Sequence, residues 1–135
     1  MKTLYAAAVA ALVAISAPAA AQSPIIEGYA AQAMKQDKSF KGFSAERGRS
    51  LFLSKHATGK PETPSCSSCH TNNPLNSGLT RAGKVIAPMA LSASPKRYSE
   101  LKKVEKWFRR NCNSVLGRPC TPLEKGDFLT FMTSR

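Results

Sequence analysis

Cys66-Ser67-Ser68-Cys69-His70 constrains this chain more than any other stretch of it. Two cysteines separated by two residues, with a histidine directly after the second, form the spacing that attaches a c-type haem. Each thiol can add to one haem vinyl group, and the histidine then lies under the iron as proximal ligand. The other uses of a CxxC pair need company that the sequence lacks. A zinc site wants two further ligands at plausible spacing, and a thioredoxin-like site wants a βαβ pattern around it. One covalent haem c is therefore expected, on Cys66 and Cys69, with His70 as an iron ligand. A haem buried among side chains would supply much of a small domain's apolar core.

The N-terminus agrees. Met1-Lys2 opens with a positive charge, Thr3 to Ile15 is apolar and alanine-rich, and Ala19-Ala20-Ala21 offers a small-residue cleavage site before Gln22. The run is interrupted by Ser16 and Pro18, so a cleaved signal peptide over residues 1–21 is expected rather than a retained anchor. Bacterial c-type haem is attached on the far side of the inner membrane. Export and haem attachment thus point together to the periplasm, with residues 22–135 as one haem domain.

The chain carries 20 Lys+Arg against 8 Asp+Glu, a formal net charge of +12. Much of the excess lies in Lys96, Arg97, Lys102, Lys103, Lys106, Arg109, Arg110 and Arg118, offset in that segment only by Glu100 and Glu105. A field of this size attracts acidic surfaces and speeds encounters with them. Nucleic acid does not suit an exported haem protein. An acidic redox partner or an anionic membrane surface does.

Periodicity predicts helices and nothing else. Pro24 to Lys35 places Ile25, Ile26, Tyr29, Ala30, Ala33 and Met34 at helical spacing. Ser44 caps a second helix, in which Gly48, Leu51 and Phe52 share a face suited to close helix contact. Asn72 to Ser94, with Pro74, Gly78, Gly83 and Pro88, reads as a long irregular loop, of the kind that wraps a ligand. Tyr98 to Asn111 is a helix with Leu101, Val104, Trp107, Phe108 and Asn111 in one arc. Thr121-Pro122-Leu123-Glu124 is a capping box that opens the last helix, which buries Phe128, Phe131 and Met132. The fold class is all-α, without a strand.

The second axial ligand decides the function. A permanent strong ligand makes an electron carrier, whereas a weak or absent one leaves a place for small molecules. Met89 would give the Met/His set of electron-transfer cytochromes, on a short path around the haem. Met132 and Met34 read as core, and His56 as a surface residue of a polar loop. Asn111 either ends its helix or offers an amide oxygen to iron, a hard, weak donor that suits ferric better than ferrous iron. Cys112 and Cys120 are left to pair in an oxidising compartment once haem takes the other two cysteines. Arg81, Lys84, Tyr98 and Trp107 are candidate propionate partners, each equally at home on the surface or in the core.

Several segments resemble known proteins. Ala45-Glu46-Arg47-Gly48-Arg49 with Leu51-Phe52 is similar to the first core helix of class I cytochromes c. Gly59-Lys60-Pro61, Pro64-Ser65-Cys66, Thr80-Arg81-Ala82-Gly83-Lys84, Ile86-Ala87-Pro88, Val104-Glu105-Lys106-Trp107 and Arg110-Asn111-Cys112-Asn113-Ser114-Val115 resemble the Sphaeroides haem protein family, as do Cys120-Thr121-Pro122 and Glu124-Lys125. The resemblance implies a class I cytochrome c-like fold, iron ligands His70 and Asn111, and a Cys112–Cys120 disulfide beside the second ligand. It also implies an asparagine that leaves on reduction, so that ferrous haem binds O2, NO or CO. Dihaem cytochromes c or membrane b-type cytochromes are the electron donors it suggests. Met89 departs from the aliphatic residue that the family leads one to expect there.

Overall fold

The computed structural model describes residues 23–135, so the signal peptide expected over residues 1–21 lies outside the described residues. The first helix, α1 (Pro24–Gln36), opens where the Ser23 side chain accepts the Ile25 N–H and Pro24 presets the first turn. Helix α2 (Ala45–Leu53) opens in the same way, with the Ser44 hydroxyl accepting the Arg47 N–H. The C-terminal helix, here labelled α5 (Pro122–Thr133), starts at the expected capping box: Thr121 accepts from the Glu124 N–H, and Glu124 accepts from the Thr121 N–H. It lies across both α1 and α2.

The crossing of α2 and α5 is close because Gly48 has no side chain. A Cβ placed there would stand 2.0 Å from the Asp127 carbonyl oxygen, so the two helix backbones touch. Asp127 is itself buried, and its carboxylate takes the Arg47 Nε at 2.7 Å and the Ser44 N–H at 2.6 Å. The helix cap and the helix crossing therefore share one acid. Gly48→Ala is expected to force the helices apart and cost on the order of 1–3 kcal/mol of stability, read as a lower denaturant midpoint.

Helix α4 (Leu101–Leu116) differs at both ends from the expected Tyr98–Asn111. Tyr98 cannot belong to it, since its φ is +61° and its hydroxyl is bound to the Met89 carbonyl. At the other end Asn111 is interior, not terminal. The helix stops at Gly117, whose φ is +68° and whose Cβ would meet the Thr58 carbonyl oxygen at 2.1 Å. Left-handed backbone and close approach both demand glycine there. Of the expected apolar arc, Val104 is buried and Phe108 half-buried, whereas Leu101 and Trp107 are 54% and 47% exposed. Trp107 sits on the shoulder of the arc, with Lys106 Nζ and Arg110 Cζ over its ring at 5.8 and 5.3 Å.

The remaining elements are the single turn α3 (Ser67–His70) and a two-stranded hairpin, β1 (Gly78–Leu79) and β2 (Val85–Ile86). The hairpin corrects the expectation of no strand. Gly78 pairs with Ile86 and Leu79 with Val85, closed by a turn in which Thr80 Oγ1 accepts the Lys84 N–H. Two residues per strand are too few for an alternation pattern to show in sequence. Otherwise residues 72–94 are irregular, as expected.

Ile26, Tyr29, Phe52, Met89, Val104, Phe128, Leu129, Phe131 and Met132 make the main core. Cys112, Val115, Leu116 and Cys120 make a second cluster, and Leu51, Phe108 and Cys66 pack against both. Met34, expected in the core, is 52% exposed, because α1 turns only Ile26, Tyr29 and Ala33 fully inward. Tyr29 donates to Glu105, which also accepts from Lys125 at 2.9 Å, tying α1, α4 and α5 together.

Candidate haem site

The Cys66–His70 segment is a tight turn, with the His70 N–H donating to the Cys66 carbonyl at 3.2 Å. Residues three apart on a helical turn are neighbours, so the spacing sets both thiols on one side. Both cysteines are free, and burial pushes the Cys66 thiol up to about 11. Among the described residues no group of three or more His, Cys, Asp or Glu could hold a metal ion by itself.

His70 is prepared differently. Burial, helped by the charge of Arg97, pulls its imidazole down to about 4, so the ring is neutral at physiological pH and keeps a lone pair for a metal. Its Nδ1 is buried and has no hydrogen-bond partner among the described residues. Phe52 lies alongside, the ring centroids 6.4 Å apart. The β1 backbone rests on the same turn, since a Cβ at Gly78 would stand 2.1 Å from the Cys69 carbonyl oxygen. The cross-strand pair Leu79 and Val85 is 56% and 66% exposed, and Leu75 is 47% exposed. Two thiols, a neutral imidazole with an unmet nitrogen and the exposed Leu79 beside them fit a flat, apolar, iron-bearing group.

The candidates for the opposite iron position stand in different surroundings. Met132 is fully buried in the main core, as expected. Met89 is also core, fixed by its N–H to the Pro74 carbonyl at 2.9 Å and by Tyr98 Oη donating to its carbonyl at 2.6 Å. His56 is half-buried rather than on the surface, because its Nε2 lies 3.4 Å from the Leu51 carbonyl and its N–H donates to Pro64. Asn111 is exposed, although at about 100° per residue it stands between Val104 and Val115 on their face of α4. Of the other polar candidates, Arg81 pairs loosely with Glu62 at 3.4 Å, Lys84 is exposed, and Tyr98 is spent on Met89.

The helix carrying Asn111 is anchored to the segment that leads into the cysteines. Thr58 Oγ1 donates to the Leu116 carbonyl at 2.7 Å, the Lys60 N–H to the Ser114 carbonyl at 2.7 Å, and Thr63 Oγ1 to the same carbonyl at 3.2 Å. Cys112 and Cys120 form the expected disulfide, which joins α4 to the approach to α5.

Sequence reasoning missed Arg97, counted only as one of the basic residues. Its guanidinium donates to the Pro88 and Ala87 carbonyls at 2.6 and 2.7 Å, holding the Met89 loop while its charge reaches His70. No local pattern announces such a clamp.

Comparison with known proteins agrees with this geometry. The model of a family described as a domain of unknown function, DUF1924, matches residues 38–132. The cytochrome c-type protein SHP of Cereibacter sphaeroides is 55% identical over 91 residues, 67% of this chain and 70% of the relative. The structure of oxidised SHP, an oxygen-binding cytochrome c, superposes with a TM-score of 0.76 at 50% identity, covering 82% of this chain and 94% of the other. Cytochrome c'' of Methylophilus methylotrophus is 40% identical over 63% of this chain and 60% of its own length. Its solution structure, which bears on haem-ligand detachment, gives a TM-score of 0.71 at 32% identity, covering 82% of this chain and 90% of that one. The chain belongs to the Sphaeroides haem protein family, monohaem cytochromes c with one covalently bound haem c and a class I-like helical fold.

Proposed function

We propose that this cytochrome is a periplasmic haem protein whose second axial ligand, Asn111, is labile and leaves on reduction. Cys66 and Cys69 would hold the haem by thioethers, and His70 would give the proximal nitrogen. The bound haem supplies a one-electron couple and, when ferrous and open on one side, a place for O2, NO or CO. The exposed carboxamide of Asn111, on an inward-turned line of a helix fixed to the motif, is the observation that carries this reading. An amide oxygen is a hard donor, so its hold weakens when the iron gains an electron. The freed amide N–H can then donate a hydrogen bond to an incoming diatomic ligand.

The kinship with an oxygen-binding cytochrome and with one known for ligand detachment supports the same reading. So does Met89, whose thioether belongs to the main core and whose backbone is held on both sides. Export to the periplasm fits the signal-like N-terminus, and among the described residues no helix is long and apolar enough to cross a membrane. Electrons would come from a dihaem cytochrome c or a membrane b-type cytochrome. Turnover of the bound gas is not part of the proposal.

Carbon monoxide tests it. Added to the reduced protein, CO is expected to bind stoichiometrically and shift the visible spectrum, while the oxidised protein stays unchanged. A ferrous form indifferent to CO would identify a plain electron carrier with Met89 and His70 on the iron.

A further inference from the structure

The outer face of α4 is a stripe of exposed cations: Lys102, Lys103, Lys106, Arg109 and Arg110. At about 100° per residue they cluster opposite Val104 and Val115, which face inward. The acids nearby neutralise little of it. Glu100 meets Lys103 only loosely at 3.7 Å, and Glu105 is committed to Tyr29 and Lys125. Along the edge of this stripe stands Trp107, the single tryptophan of the chain, 47% exposed. Lys106 and Arg110 reach over its ring, so the two charges and the indole form one unit. Trp107 lies one turn before Asn111 on the same helix.

We propose that this face of α4 is the docking surface for an acidic electron-donating protein, with Lys106 and Arg110 at its centre and Trp107 at its edge. The proposal rests on the function inferred above and names the surface its donor uses. Tryptophan and arginine are the residues that most often dominate binding energy at interfaces, and an indole flanked by cations can meet both the apolar centre and the acidic rim of a partner. The remaining lysines and Arg109 steer the encounter. The occupant is a protein rather than a lipid surface, because α4 presents one half-exposed aromatic amid charge and no apolar stripe to bury in a bilayer. In the transfer itself the donor is oxidised by one electron and the iron is reduced from ferric to ferrous.

The test compares two variants of the holoprotein with equal net charge. Lys106→Glu/Arg110→Glu removes the centre of the face, whereas Lys38→Glu/Lys41→Glu alters two exposed lysines elsewhere. Three probes are used: reduced flavodoxin, an acidic one-electron donor, followed by stopped-flow at several salt concentrations; short poly-L-glutamate, followed by calorimetry; and phosphatidylglycerol vesicles, followed by co-sedimentation. At low salt the α4 variant is expected to lose at least about tenfold in reduction rate and to bind poly-L-glutamate weakly, with a flattened salt dependence, while the control changes less than about twofold. Trp107→Ala is expected to weaken the complex and lower the second-order reduction rate without altering the salt slope. Equal losses in both charge variants would overturn the proposal, leaving net charge alone. Binding to phosphatidylglycerol vesicles that only the α4 variant loses, with flavodoxin reduction intact, would overturn it in favour of a membrane face. CO binding by each ferrous variant reads the Asn111 mechanism separately, so the two ideas fail independently.

Discussion

Asn111→Ala is expected to change the ferric absorption and paramagnetic resonance spectra strongly and to leave the stability of the fold almost untouched. The side chain is exposed in the interior of α4, where alanine is a better helix former than asparagine by a few tenths of a kcal/mol, about 0.6 at most. A purely structural asparagine would therefore be silent in the spectra when removed. If the carboxamide is an iron ligand, its loss opens the ferric state as well as the ferrous one. Exogenous anions such as azide should then bind the oxidised variant more tightly, by roughly tenfold or more, because no internal ligand has to be displaced first. CO affinity of the reduced variant should stay close to that of the parent, since the ligand has already left.

Met89→Leu is the matching control. A methionine-to-leucine exchange nearly conserves volume and costs less than about 1.5 kcal/mol in a packed core. Met89 has 8% of its surface exposed and its backbone anchored at both the N–H and the carbonyl, so leucine should take its place without moving the loop. The ferric spectrum of this variant is expected to match the parent. The reverse outcome, a silent Asn111→Ala and a shifted Met89→Leu, would make the protein a methionine-ligated shuttle.

What the sequence revealed and what it hid follow from the range of the interactions. The CxxCH turn, the Ser44 cap and the Thr121–Glu124 box are all written within five residues, and each stands where the spacing indicates. The tight α2–α5 crossing was legible in outline from Gly48 beside Phe52, but its partner Asp127 was not, lying 80 positions from Arg47. Arg109-Arg110-Asn111 has the composition of a helix terminus, yet α4 runs on to Leu116. What carries the helix onward is tertiary: Thr58 and Thr63 bind the Leu116 and Ser114 carbonyls from more than 50 residues away. Helical spacing points Trp107 inward, whereas the ring stands 47% exposed with two cations over it. The CxxCH turn was thus readable from local chemistry, while the anchoring of the helix that carries Asn111 depends on contacts no short window contains.

Removal of the disulfide should lower the stability of the fold markedly. Cys112 and Cys120 are both buried and close a loop with a sequence separation of 8. On the chain-entropy account such a link is worth about 2–3 kcal/mol. In a domain of this size that corresponds to a fall in Tm of roughly 10 °C or more. The double variant Cys112→Ala/Cys120→Ala, melted alongside the parent without reductant, gives this number directly. Its spectra answer a second question. The end of α4 has two restraints: the disulfide, and the hydrogen bonds from Thr58, Lys60 and Thr63 with Gly117 pressed on the Thr58 carbonyl. The second set remains in the variant, so the helix should persist and Asn111 should stay near its position with a looser hold. A mixed ferric spectrum, part parent and part resembling Asn111→Ala, is the expected result. An unchanged spectrum with the lower Tm would mean that the hydrogen bonds alone fix the ligand and that the disulfide serves only the fold.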